Sequence, residues 1–136
     1  MIVAVPPNMI EEAFKKIEPL FEIYHKKYNI TDTNKQNIKN FLLNKKGVML
    51  LNISDDDIDF MCILEPCDLP DYLEVTTIGG YNMKNWLEEG VAAIKTIAKE
   101  LNYKAIKNPI GSRKGWRRAL KKYGFKSKND YMEYII

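Results

Sequence analysis

Two glycine-led turns and a run of cations carry the residue types that could do chemistry in this chain. Gly79-Gly80-Tyr81-Asn82 leaves a predicted strand and enters a predicted helix. Free backbone amides and the helix dipole at such a place attract an anion, and glycine lets a ligand approach the backbone. Ile110-Gly111-Ser112-Arg113 repeats that logic ahead of a shorter helix, with the Arg113 guanidinium added. A Gly-Gly pair also serves any strand-to-helix turn, so the plain structural reading stands beside the phosphate one.

The cations lie in Gly111 to Phe125, GSRKGWRRALKKYGF. Ser112 suits an N-cap and Gly124 a left-handed helix end. Trp116, Ala119, Leu120 and Tyr123 recur at helical spacing and predict an apolar stripe facing a core. Arg113, Lys114, Arg117, Arg118, Lys121 and Lys122 fall on the other face, and no acid occurs from Lys114 to Lys128. Such a face fits an anionic partner such as nucleic acid, or it is simply solvated. Stacking on bases would need exposed aromatics, whereas this spacing points to burial of Trp116 and Tyr123.

Isolated reactive groups offer less. His25 is the only histidine and sits near a predicted helix end, where the dipole favours it. Cys62 and Cys67 lack a visible base or helix N-terminus to make a thiolate. With one histidine and two cysteines, a Cys/His zinc site is short of ligands. Asp55, Asp56 and Asp57 lack the alternating ligands, central glycine and distal glutamate of a calcium loop. No metal is expected.

These groups must be positioned by one domain over 1–136, since the length suits a single core. The net charge of +3 names no partner by itself. Two cysteines without a secretory signal fit a reducing compartment, and no apolar run reaches membrane-spanning length. Met1 to Val5 reads as an opening strand. Asn8 to Glu11 resembles a capping box before a helix with Ile10, Phe14, Ile17, Phe21 and Tyr24 inward, which Pro19 should kink or split. Thr33 to Gln36 is a second capping box, opening a helix that ends at Lys45-Lys46-Gly47. Val48–Ile53, Ile58–Leu64 and Tyr72–Ile78 form a meander that Gly79-Gly80 breaks. Asn82 caps a long helix to Leu101. Tyr103–Lys107, the cationic helix and a strand over Asp130–Ile136 close the chain. The order is β-α-α-β-β-β-α-β-α-β, a mixed α/β (α+β) fold with a mostly antiparallel sheet.

This order, with a Gly124-Phe125 corner after the last helix, resembles the GNAT superfamily of acyl-CoA N-acyltransferases over nearly the whole chain. Short GNAT-like proteins of tailed bacteriophages are similar in more detail. They share the VAVPP opening, the Pro-interrupted first helix, the signature Gly79, Gly80, Met83 and Trp86, and the G-R-x-G-W-x-R-x-L-x-x-Y-G-F helix, here with Ser112 inserted before Arg113.

The resemblance implies an acyl-CoA site, with acetyl-CoA as cofactor, between splayed strands. It puts the pyrophosphate on the turn from Gly79 to Lys84, so Gly79, Gly80, Tyr81, Asn82, Lys84 and Arg113 become candidate cofactor residues. It also puts Glu74 on the strand lining the acceptor side, able to activate an amine through water. The family's usual glycine pattern in this turn is incomplete here. Leu120 stands where the family carries the Tyr that protonates the leaving thiolate, and Arg113 stands at its Asn position. These departures favour a phage accessory protein with a degenerate acyl-CoA site. It would be used in head assembly or genome delivery, in the host cytoplasm or packaged in the virion, and would meet nucleic acid or virion proteins through the basic face. The alternative is an active acetyl-CoA-dependent N-acetyltransferase acting on an amine of a host or phage target.

Overall fold

A computed structural model describes residues 1–20, 22, 32–55, 57–109 and 114–136. Among these residues seven strands form one sheet: β1 (Ile2–Ala4), β2 (Val48–Ser54), β3 (Asp57–Pro66), β4 (Tyr72–Gly80), β5 (Ala105–Pro109), β6 (Lys126–Ser127) and β7 (Tyr131–Ile135). Their spatial order is β1-β2-β3-β4-β5-β7-β6. Only β4 and β5 run parallel; the other neighbours are antiparallel. The described α-helices are α1 (Ile10–Lys16), α2 (Asp32–Leu43), α3 (Leu87–Glu100) and α4 (Lys114–Lys121).

Alternation along each strand divides the core between the two faces of the sheet. Ile10, Phe14, Ile17, Leu20 and Leu42 cover Met49, Leu51, Met61 and Ile63 on one face. On the other, Val91, Ile94 and Ala98 of α3 and Leu120 of α4 pack on Leu50, Phe60, Cys62, Leu64, Val75 and Ile106. Phe60 stacks on Trp86 with ring centroids 4.2 Å apart. A Cβ at Gly90 would sit 3.4 Å from the Phe60 ring, so α3 approaches the sheet closely there. Among the described residues, no helix is long and apolar enough to cross a membrane.

Several local expectations change. The first helix is split as Pro19 requires, with Ile17 closing α1 and helical backbone resuming at Glu18. Asn8 forms no capping box; it lies in a 3-10 turn, Pro7–Met9, and Met9 precedes the helix. Thr33 falls inside α2, which begins at Asp32. That helix ends at Leu43, and the left-handed residue behind it is Lys45 rather than Gly47. The meander's third strand runs through Gly79 and Gly80 instead of breaking there, because both pair with β3. Asn82 is left-handed (φ 56°) and leads a 3-10 turn, Met83–Asn85, so Trp86 rather than Asn82 precedes α3. β6 is a two-residue strand absent from the sequence reading. Asn102 and Gly124 are left-handed, as read. Phe21, Tyr24, His25 and Asp56 lie outside the described residues.

Candidate functional site

Strand β4 is shared between two neighbours that do not run its full length. It pairs with β5 at three positions, Tyr72↔Ala105, Leu73↔Ile106 and Glu74↔Lys107. Beyond Glu74 it continues to Gly80 on β3 alone, while Asn108 and Pro109 continue on β7 alone. The parallel strands therefore part after Glu74 and Lys107. Two local causes are visible. Pro109 has no N–H to donate to a ladder. Thr76 is a bulge, because Ile63 pairs with Thr77 while Leu64 pairs with Val75, and a bulge bends and twists its strand.

Glu74 stands at the mouth of this split. Successive registers place Glu65, Glu74, Lys107, Glu133 and Lys126 in one row across β3, β4, β5, β7 and β6. The row shares its sheet face with Ile63 and Met61, beyond the strands that the first helices cover. Lys107 Nζ is 3.7 Å from Glu74 Oε1 and 5.1 Å from the centroid of the Tyr131 ring. Lys128 Nζ is 3.6 Å from Glu133 Oε1, and Tyr72 donates to Glu133 Oε2 at 2.5 Å. That bond to the carboxylate pushes the Tyr72 phenol up to about 12. Burial raises the Glu65 carboxyl, a hydrogen bond with Thr76 lowers it, and the facing Glu74 charge raises it again.

Cys67 joins the row at its loop end. Its Sγ lies 3.3 Å from Asp68 Oδ1 and 3.5 Å from Glu74 Oε1, and Leu69 N donates to it. These three side chains bring one ligand atom each within 4.8 Å of one another. The Lys107 ammonium already answers the Glu74 charge, and burial with the two carboxylates raises the Cys67 thiol. Burial likewise raises the Cys62 thiol, which lies in the core. Neither sulfur is poised as a thiolate.

The turn after β4 sits differently from its sequence reading. Gly79 pairs with Met61 and Gly80 with Phe60. At Gly80 (φ 155°) a Cβ would lie 2.1 Å from the Asp59 carbonyl oxygen, so β3 alone demands glycine there. The same oxygen accepts from Tyr81 N. Asp59 is the extra residue of a bulge in β3 and accepts from Asn52 Nδ2 at 2.7 Å. Tyr81 donates its hydroxyl to Asp57 Oδ2 at 2.5 Å, and its carbonyl accepts from Trp86 Nε1 at 2.8 Å. With Lys16, Pro19, Leu20, Ile53 and Ile58, Tyr81 and Asp57 line a cleft of about 440 Å³. Asn82 and Lys84 are exposed. Helix α3 opens with Glu88 and Glu89, which complement its dipole and repel a phosphate.

The cationic helix keeps its two faces. Ala119 and Leu120 are buried and Trp116 and Tyr123 pack on the core, so the aromatics are not stacking platforms. Leu120 is 2 % exposed and offers no proton. Lys95 of α3 donates to the Tyr123 carbonyl at 2.6 Å and sits 4.1 Å from the Tyr134 ring centroid, which fixes the Gly124 corner. Arg118, Lys121 and Lys122 are exposed, whereas Arg117 is half-buried and donates to Ser127 Oγ. The Lys114 backbone opens α4, while Gly111, Ser112 and Arg113 lie outside the described residues. The charge row and both bulges escaped the sequence, since neither register nor bulge position is written in local periodicity.

No family model and no curated protein matches this chain. Solved structures do match. An acetyltransferase of the GNAT family from Staphylococcus aureus Mu50 superposes with a TM-score of 0.69 at 18% identity, covering 99% of this chain and 98% of that one. The PaiA N-acetyltransferase of Thermoplasma acidophilum, in complex with coenzyme A, gives 0.70 at 12% identity over 100% and 99%. A ribosomal-protein-alanine N-acetyltransferase from Brucella melitensis gives 0.74 at 8% identity over 100% and 99%. At such identities the likeness shows the fold: this chain has the GNAT acetyltransferase fold.

Proposed function

We propose that this protein holds an acyl-CoA in the split between β4 and β5 and transfers the acyl group to an amine. The observation that carries this reading is the three-position pairing of those strands, which leaves a slot in a sheet otherwise paired strand to strand. The residues present fit such a group. From Val75 to Gly80 the side of β4 turned away from β3 has no β5 partner, so its backbone polar groups suit the amides of a pantetheine arm. The coenzyme A held by the Thermoplasma protein of the same fold supports the cofactor class. Acetyl-CoA, when bound, supplies an activated acyl group.

Glu74 takes the amine proton, directly or through one water, and Lys107 holds its carboxylate in place. Leu120 cannot protonate the leaving thiolate, so turnover lacks the ~10²–10⁴ that a placed general acid contributes. Gly79, Asn82, Lys84 and Arg113 remain the proposed phosphate contacts. Gly80 and Tyr81 have structural duties of their own.

A second reading has its own support. Arg118, Lys121, Lys122 and Lys126 are exposed, and among the described residues none of them forms an ion pair. On that reading the chain is a tailed-phage accessory protein in the host cytoplasm or the virion. Its basic face meets nucleic acid or another virion protein, and the acyl-CoA site is degenerate.

A thermal-shift titration with acetyl-CoA separates the two. A ligand that binds only the folded state raises the melting temperature as its concentration passes Kd. A saturable rise is expected. No rise at millimolar acetyl-CoA overturns the transferase reading and leaves the basic face, to be tested by salt-dependent binding to DNA.

A further inference from the structure

Buried polar side chains in a folded protein are almost always hydrogen-bonded, so one without a partner calls for an explanation. Among the described residues the buried polar side chains are Asn52, Asp59, Thr77, Asn108 and Glu133. Asn52 and Asp59 hold each other, and Glu133 accepts from Tyr72 and faces Lys128. Asn108, in the amide orientation its neighbours require, accepts from Trp116 Nε1 at 3.2 Å and donates to the Pro109 carbonyl at 3.1 Å. Thr77 is 2 % exposed, and none of the described residues hydrogen-bonds its hydroxyl.

The place of this hydroxyl is specific. Thr77 follows the bulged Thr76 and pairs with Ile63, on the length of β4 that has lost β5 as a neighbour. It shares the sheet face of Glu74 and is the next regularly paired residue beyond it on that face. Gly79 pairs with Met61 on the same face and carries no side chain. A base at Glu74 requires the amine near its carboxylate, and the acyl carbon must lie within ~3–3.5 Å of that amine. A donor one step further along the face falls on the side of the acyl carbonyl oxygen, where charge develops during transfer.

We propose that the Thr77 hydroxyl donates a hydrogen bond to the carbonyl oxygen of the acyl group held in the split. This rests on the acyl-CoA reading above. A buried hydroxyl with no partner among the described residues is tolerated in the ligand-free protein because the ligand completes it. The near-isosteric replacement Thr77→Val would lose nothing in the free protein.

Calorimetric titration of acetyl-CoA and of CoA into the wild type, Thr77→Val and Thr77→Ser tests this without an acceptor. In Thr77→Val, acetyl-CoA should bind about tenfold more weakly while CoA is unchanged. Thr77→Ser should keep the wild-type ratio, and ligand-free Thr77→Val should melt no lower than the wild type. An unchanged ratio in Thr77→Val overturns the assignment, as does equal weakening of both ligands. A lower melting temperature, or failure of that variant to fold, makes the hydroxyl structural and also overturns it. A wild type that binds neither ligand overturns the acyl-CoA reading itself, and this assignment with it.

Discussion

Glu65 and Glu74 face each other directly across β3 and β4, and Lys107 holds the second of them at 3.7 Å. Burial, then the Glu74 charge, raises the Glu65 carboxyl against a lowering hydrogen bond from Thr76. A carboxyl whose folded value lies above its unfolded one adds stability at low pH. That contribution is lost as pH rises through the folded value. Glu65→Gln should therefore melt higher than the wild type at pH 7, with the gap closing as pH falls toward the ordinary value of 4.5. Melting curves across pH check this; a gap that widens in acid would sink it.

Glu74→Gln keeps the shape of the row and removes the base. Transfer to an amine acceptor should fall ~10²–10⁴-fold. Acetyl-CoA affinity should stay near wild type, since the lost group serves the amine. Steady-state rates and a binding titration on the same preparation separate the effects, and a Glu74→Gln enzyme with wild-type kcat would remove Glu74 from the mechanism.

Gly80→Ala should cost at least about 3 kcal/mol, because a Cβ there meets the Asp59 carbonyl oxygen at 2.1 Å in a backbone conformation that side chains avoid. The loss should appear in urea unfolding of the ligand-free protein. A mild effect would mean that the Asp59 bulge can retreat.

Lys95→Met should cost about 2 kcal/mol. It keeps the apolar stem but loses the charged donor to the Tyr123 carbonyl and the cation over the Tyr134 ring. The urea midpoint reads the change, and an unaltered midpoint would show that the Gly124 corner holds without it.

The readable parts of this chain were those set by near neighbours in sequence. Pro19 split its helix because a missing N–H acts locally, and Trp116, Ala119 and Leu120 faced the core because helical spacing put them there. Glu74 was named from family likeness, and pairing then gave it Lys107 as neighbour. Gly79 and Gly80 misled because glycine reads as a turn, whereas Gly80 answers a contact with Asp59, 21 residues earlier. Asn82 misled similarly, since an Asn before a helix serves equally as a cap or as a left-handed residue. Thr77 looked like any strand threonine. That its hydroxyl has no partner among the described residues is visible only once β3 and β5 are placed beside β4.

The narrow junction between β4 and β5 also bears on the order of assembly. β2, β3 and β4 follow one another in sequence and pair across short turns, so they close with little loss of chain entropy. β5 reaches β4 only after the whole of α3 has crossed the sheet, and it then gains three register positions. Contacts of such range and so small a return form late. The seam that leaves room for a ligand should thus close after the β2–β3–β4 meander rather than together with it.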